Sequence, residues 1–390
     1  MNDNRKPVII AALRTPIARA YGALSTLDIE YLVSPLIKAI IERMHIEPQE
    51  IDDVIIGNAA GGGGNMARLA ALTAGLPVEI AGQTVDRQCG SGLEAVVQAC
   101  RLVEAGAGQI YLAGGAESVS TAPWRVKRPK TPREMPHFFS RARFSPEAIG
   151  DPDMGEMAEN IARHYHISRK RQDAFALESH RRALKAQDNH CFDSEIIPLA
   201  TPSGLFARDD CPRAGLTLET LAHLRPVFEK NGTVTAGNAC PLNDGAAIVL
   251  VTSLAQAKQL GFCYGLCFID SAVSGVDPNF AGIGAVASTK KLLKKTGLSD
   301  CSKFAVIEFN EAFASQVLAC LEQLDVEPEK INRGGGAIAL GHPFGASGTF
   351  LVTRLFSQME KMDENTLGLA TMSIGGGMGI SAMFRPYFPA

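Results

Sequence analysis

Three side chains of this sequence have the types needed for nucleophilic chemistry: a thiol at Cys89, an amide at Asn310 and an imidazole at His342. Cys89 lies in Asp86-Arg-Gln-Cys-Gly-Ser-Gly-Leu-Glu-Ala-Val96, between an extended run, 80–85, and an amphipathic run with Leu93, Val96, Val97 and Cys100 at helical spacing. Gly90 and Gly92 let the backbone turn sharply and approach a ligand closely. A cysteine at a helix start feels the positive end of the dipole, which favours thiolate, the nucleophilic form. A small buried apolar residue is the other reading of Cys89, and from this stretch alone both stand. His342 lies in Arg333-Gly-Gly-Gly-Ala-Ile-Ala-Leu-Gly-His-Pro-Phe-Gly-Ala-Ser-Gly348, again at a glycine-rich junction before a helical pattern. Asn310 opens Asn310-Glu-Ala-Phe-Ala314 after the strand pattern 304–309. Together they could supply a nucleophile, a dipole and an acid/base.

The elements that must hold these residues alternate. Strands are expected at 8–12, 51–56, 80–85, 110–114, 246–252, 304–309 and 367–373, with helices at about 29–44, 65–74 and 349–359. That rhythm predicts an α/β chain with a largely parallel sheet covered by helices. The glycine run Gly61–Gly64 lacks the Lys-Ser/Thr ending of a phosphate loop and reads as a turn that brings backbone near a site. Between about 118 and 242 the texture changes: 123–152 is rich in proline and in Arg and Lys, either a solvated loop or a counter-surface for a phosphorylated ligand. The span 157–185 is helical, with a break near Ile167-Ser168. Reactive side chains at matching junctions, Cys89 in one half and His342 in the other, hint at a duplicated unit.

Composition bounds the function. The chain of 390 residues has 46% apolar and 20% charged residues and a formal charge of −3, the balance of a soluble α/β protein without a nucleic-acid-wide positive field. No apolar run reaches the roughly 20 residues that span a bilayer, and the opening residues carry no apolar signal segment, so no membrane partner is expected. Nine cysteines without framework spacing fit a reducing compartment, so a cytoplasmic location is expected. His164 and His166 lack the spacing of metal ligands, and no metal site is expected.

With their flanks, the three residues resemble the thiolase family. The matching blocks are Arg14-Thr-Pro-Ile17, 86–95, Gly237-Asn-Ala239, Asn243-Asp-Gly-Ala-Ala247, 310–314, Gly341-His-Pro343 and 375–379, so the resemblance spans essentially the whole chain. It implies the thiolase fold: two similar mixed-sheet core domains in a layered αβαβα arrangement, with an inserted loop domain. The implied division is 1–118 plus about 243–265, a CoA-binding loop domain at 119–242, and 266–390. It further implies acyl transfer on acyl-CoA and CoA, with no cofactor, by a homodimer or homotetramer. Cys89 would carry the acyl group and His342 would activate it. The N–H groups of Cys89 and Gly375 would form one oxyanion hole, and His342 with a water held by Asn310 the other. By position, Arg213, Thr220, Ala236 and Cys240 would follow the nucleotide and pantetheine, with Cys240 where the family commonly has serine. Met154 and Phe313 would wall the acyl pocket.

The sequence departs from that pattern at Ser373, which stands where the family's second catalytic cysteine precedes the last glycine run. A thiol near pKa ~8.5 can be tuned toward thiolate, whereas an alkoxide is out of reach near neutral pH. Ala281-Gly-Ile-Gly-Ala285 replaces the usual Met-Gly-x-Gly-Pro, and Asp153-Met-Gly155 stands where acetoacetyl-specific members tend to have His-Met-Gly. Three readings follow: an acyltransferase that makes or cleaves 3-oxoacyl-CoA, a protein that acylates Cys89 without carbon–carbon chemistry, and an acyl-CoA-binding protein.

Overall fold

The computed structural model describes residues 3–139 and 141–388. The first half runs β1 (Pro7–Arg14), α1 (Ile29–Met44), β2 (Asp53–Gly57), α2 (Met66–Thr73), β3 (Ala81–Val85), α3 (Ser91–Ala105) and β4 (Ile110–Ser118). An insertion follows that contains α4 (Met154–His164) and α5 (Arg169–Asp188), and β5 (Asn243–Ser253) completes the half. The second half runs β6 (Gly265–Gly275), α6 (Gly284–Thr296), β7 (Phe304–Phe309), α7 (Ala314–Leu324), α8 (Phe344–Met359), β8 (Leu367–Ile374) and β9 (Met378–Tyr387).

The strands form one hydrogen-bonded path, β7-β8-β9-β6-β1-β5-β4-β2-β3, with the short strand Ala18–Arg19 beside β5. Two register pairs, Val8↔Cys267 and Ile9↔Leu266, join the halves at β1 and β6. Each half repeats one plan. β2 is parallel to β4, and β5 and β1 follow antiparallel; likewise β7 is parallel to β8, and β9 and β6 follow antiparallel. The counterpart of β3 in the second half is a single parallel bridge, Ile307↔Ile331. The duplicated unit is therefore present in topology. The largely parallel sheet expected from the strand–helix rhythm is corrected to a mixed one. β5 returns from the insertion to run against both β4 and β1, and β9 folds back on β8 through Gly376 and Gly377 at φ 86° and 81°, which favours glycine.

Three apolar layers follow from the period-2 alternation of the strands. Val54 and Ile56 of β2 face α1 and α2, together with Leu32, Leu36 and Ile40 at helical spacing, while Ile55 faces the opposite layer. Ile307 and Phe309 of β7 face α6 and α7, while Val306 faces inward. The middle layer holds Leu93, Val96 and Cys100 of α3 and Leu351, Val352 and Leu355 of α8, between inward residues of both halves. α3 and α8 are the equivalent helices of the two halves and meet at their first turns. A Cβ on Gly92 would lie 2.6 Å from the Gly345 carbonyl oxygen, and one on Gly348 would lie 2.5 Å from the Leu93 nitrogen. Backbone cannot step aside cheaply, so Gly92→Ala should cost about 1–3 kcal/mol, read as a lower urea midpoint with unchanged slope.

The insertion is bolted to both halves by buried charge. Arg14 at the end of β1 donates to Glu195 at 2.7 Å and to Asp209 at 2.8 and 3.0 Å, and Arg354 of α8 reaches Glu195 at 2.7 Å. Both guanidinium groups lie over the Phe192 ring. In the proline-rich part, a hairpin pairs Arg125–Lys127 with His137–Phe139. Among the described residues no helix is long and apolar enough to cross a membrane.

Candidate active site

Cys89 and His342 each stand two residues before the first residue of one of the crossing helices, α3 and α8. Gln88 adopts φ 48°, and Ser91 locks that turn by donating to the Gln88 carbonyl at 2.5 Å and accepting from the Arg87 N–H at 2.8 Å. The half-buried Cys89 then lies beside Gly375 in the wall of one cavity, and the backbone N–H groups of Gly375 and of Cys89 itself favour the ionised form of the thiol. Expectation and structure differ on its acidity. Burial pushes the Cys89 thiol up to about 11; the Gly375 N–H opposes the rise, and the negative Glu117 adds to it. Desolvation outweighs the helix dipole, so the resting nucleophile is a neutral thiol. Alkylation of Cys89 by iodoacetamide should therefore be slow at pH 7 and climb steadily toward pH 11. A plateau by pH 7 would show a preformed thiolate instead.

The strand end Asn243 accepts the His342 backbone N–H at 2.8 Å, and the Ser347 hydroxyl lies 2.5 Å from His342 Nδ1. That hydroxyl donates to the Pro343 carbonyl at 3.2 Å, so it accepts from Nδ1–H and leaves Nε2 unprotonated, facing the Asn310 amide N–H and able to take a proton. Burial lowers the imidazole to about 4, so it is neutral and basic in form across the physiological range. Asn310 Nδ2 lies 3.5 Å from Nε2. Asn310 is fixed by its backbone N–H on the Thr371 carbonyl at 3.1 Å. Its neighbour Glu311 is buried and accepts from Ser179 at 2.6 Å and Asn332 at 2.7 Å.

Ser373, near the end of β8, has every hydrogen-bonding position engaged. Its hydroxyl donates to the Gly282 carbonyl at 2.5 Å and accepts from the Ala285 N–H at 3.0 Å and the Gln316 amide at 3.4 Å. Ala285 belongs to the first turn of α6, so the donors at this position include a helix N-terminus and would suit an anion.

Cys89, Gly375 and Met154 share a cavity of about 1030 Å³. Gly61, Gly63 and Gly64 form part of its wall, which places the glycine run beside the site. Phe313 is buried and meets Phe228 edge-on, with ring centroids 6.4 Å apart. Arg213, Thr220 and Ala236 are exposed, on or next to the short helix Leu218–Ala222 and the turn before Asn238. Cys240 is half-buried, with its N–H on the Ala312 carbonyl at 3.0 Å, and is close enough to Cys89 for a Cys89 thiolate to oppose its ionisation. These four are not among the residues described as lining the Cys89 cavity. Sequence reasoning missed Ser347 and Phe144. Ser347 lies one helical turn past His342, a spacing open to inspection; Phe144 comes from the proline-rich loop, where no periodicity points inward.

The model of the thiolase N-terminal domain matches residues 7–255, and that of the thiolase C-terminal domain matches 266–386. A Staphylococcus epidermidis protein named "Putative acetyl-CoA C-acetyltransferase VraB" is 47% identical over 386 residues, covering 98% of this chain and 99% of that protein. A Staphylococcus haemolyticus protein of the same name is 45% identical over 385 residues, with 98% and 99% covered. The crystal structure of the Bacillus anthracis acetyl-CoA acetyltransferase superposes with a TM-score of 0.91 at 35% identity, covering 99% of this chain and 100% of that one. Two domain models that together take in nearly the whole sequence, and relatives alike from end to end, make this chain a member of the thiolase family.

Proposed function

We propose that this chain is an acyltransferase that moves acyl groups between coenzyme A and carbon through a thioester on Cys89. The observation that carries this reading is a thiol at a helix start, in the wall of one cavity with Gly375, where the backbone N–H groups of Cys89 and Gly375 favour its ionised form. Cys89 Sγ attacks the acyl carbonyl and its proton passes to His342 Nε2, the nitrogen left free by the Ser347 contact. The oxyanion that forms lies between the two N–H groups, a stabilisation of a few kcal/mol per donor. In the second half-reaction, His342 and a water on Asn310 would hold the enolate oxygen of the other thioester. Arg213, Thr220, Ala236 and Cys240 are assigned to the CoA path, and Met154 and Phe313 to the acyl pocket. No cofactor enters this chemistry.

Ser373 is assigned to the position of the family's second catalytic cysteine. Its surroundings support that: the α6 N-terminus and the Gln316 amide would hold a thiolate, but they hold a hydroxyl that cannot ionise near neutral pH. Thiolysis of acetoacetyl-CoA should therefore be measurable but slow, and Ser373→Cys should raise kcat by about 10²–10⁴-fold. Equal rates for the two proteins would show that another group moves the α-proton; inactivity of both on acetoacetyl-CoA and on a longer 3-oxoacyl-CoA would overturn carbon–carbon chemistry. The segment 119–242 is assigned as the CoA-binding loop domain between core domains at 1–118 plus 243–265 and 266–390. A cytoplasmic location and a homodimer or homotetramer complete the proposal; the oligomer is supported by β3, which ends the strand path and pairs on its outer edge with no strand among the described residues.

A further inference from the structure

The cavity at Cys89 is much larger than an acetyl group needs. Its volume of about 1030 Å³ lies at the top of the range, about 300–1,000 Å³, that encloses drug-sized ligands. It begins at the reacting atoms, since Cys89 and Gly375 are in its wall. A Cβ on Gly375 would stand 3.0 Å from the Phe144 ring and 3.6 Å from Met154 Sδ, so these two apolar side chains flank the thiol. The cavity then extends to the glycine run, where Pro123 would lie 3.3 Å from a Cβ on Gly62, and to Trp124, set edge-on against Phe138 at 5.9 Å. The charge nearest Phe144 is engaged elsewhere: Arg141 lies 4.8 Å over that ring and pairs with Asp151 and Asp153 at 3.0 and 2.9 Å.

We propose that this cavity holds the alkyl chain of the acyl group on Cys89, and that the preferred substrates are medium- or long-chain 3-oxoacyl-CoA thioesters rather than acetoacetyl-CoA. The inference rests on the reading of Cys89 as the acyl carrier. In thiolysis, Cys89 Sγ bonds to C3 of the substrate and the C2–C3 bond breaks. Its electron pair leaves on C2, which gains the proton that the Cys89 thiol gave up to His342, and acetyl-CoA departs. The chain stays on Cys89 as a thioester until the thiol of a second CoA takes the acyl carbon and returns the proton to Cys89. The chain thus stays at Cys89 through both steps, where the cavity's apolar walls can cover it. Acetyl would leave the apolar walls wet.

The test compares kcat/KM for acetoacetyl-CoA and 3-oxodecanoyl-CoA, and compares acylation of Cys89 by acetyl-CoA and decanoyl-CoA by intact mass. A fully buried methylene is worth about fourfold, so the methylenes added, about six in the first assay and about eight in the second, should give the longer chain at least a tenfold advantage in each. Ala122→Trp, which puts a large ring where the wall beside Pro123 and Trp124 has a methyl group, should remove most of that advantage and cost the short substrates far less. Equal or better use of the short substrates, or an equal loss on both from Ala122→Trp, overturns the inference while Cys89 acylation by acetyl-CoA stands. No acylation by either donor overturns the Cys89 reading on which it rests.

Discussion

Cys89→Ala should lower turnover of any acyl-CoA substrate by about 10⁴–10⁶-fold, the scale of losing a nucleophile that works as one unit with its base. The fold should survive, because Cys89 lies outside α3 and the turn is held by Ser91. CoA binding should persist as well, since the residues assigned to it lie on the insertion. The check is a steady-state rate beside a binding isotherm for CoA: the rate disappears and the isotherm stays. A variant that retains a tenth of the rate would reduce Cys89 to a packing residue, the alternative that the sequence left open.

His342→Ala should come next in size, lowering kcat by about 10²–10⁴-fold with little change in KM. The resting thiol lies up at about 11 and the imidazole down at about 4, so proton transfer between them is uphill until the oxyanion forms. Removing the acceptor leaves water to take the proton in a buried site. Rates of single-turnover acylation should fall by the same factor as kcat, because the proton leaves in that step. The sign of the pH dependence follows from the lowered imidazole. A base depressed to about 4 is lost only as pH falls through about 4, so acylation should not decline between pH 8 and 6 through protonation of His342.

Much of this was legible in the sequence because local pattern and tertiary role agree. The strand 304–309 and the helix 29–44 read directly from periodicity, and both occur with those bounds as β7 and α1. The break near Ile167-Ser168 is the gap between α4 and α5, with Ser168 accepting the Arg171 N–H at the start of α5. What could not be read is long-range. β6, β9, α6 and α7 were not separated from their surroundings, and strand direction depends on where the insertion returns the chain. The acidity of Cys89 differs for the same reason: a helix start is local, whereas the burial that raises the thiol depends on segments distant in sequence that share its cavity wall, such as the one carrying Phe144. Ser373 can be singled out in the sequence by its place before the last glycine run, but only the structure shows its hydroxyl engaged by Gly282, Ala285 and Gln316.

The central claim is that acyl groups pass through Cys89, and trapping the intermediate tests it most directly. The purified protein is mixed with acetyl-CoA and with decanoyl-CoA, quenched in acid, and its intact mass and peptide map are recorded. The account predicts one acyl group per chain on the peptide containing Cys89, removed by added CoA and absent from Cys89→Ala. Acylation on another cysteine, or none at any cysteine while CoA still binds, would contradict it.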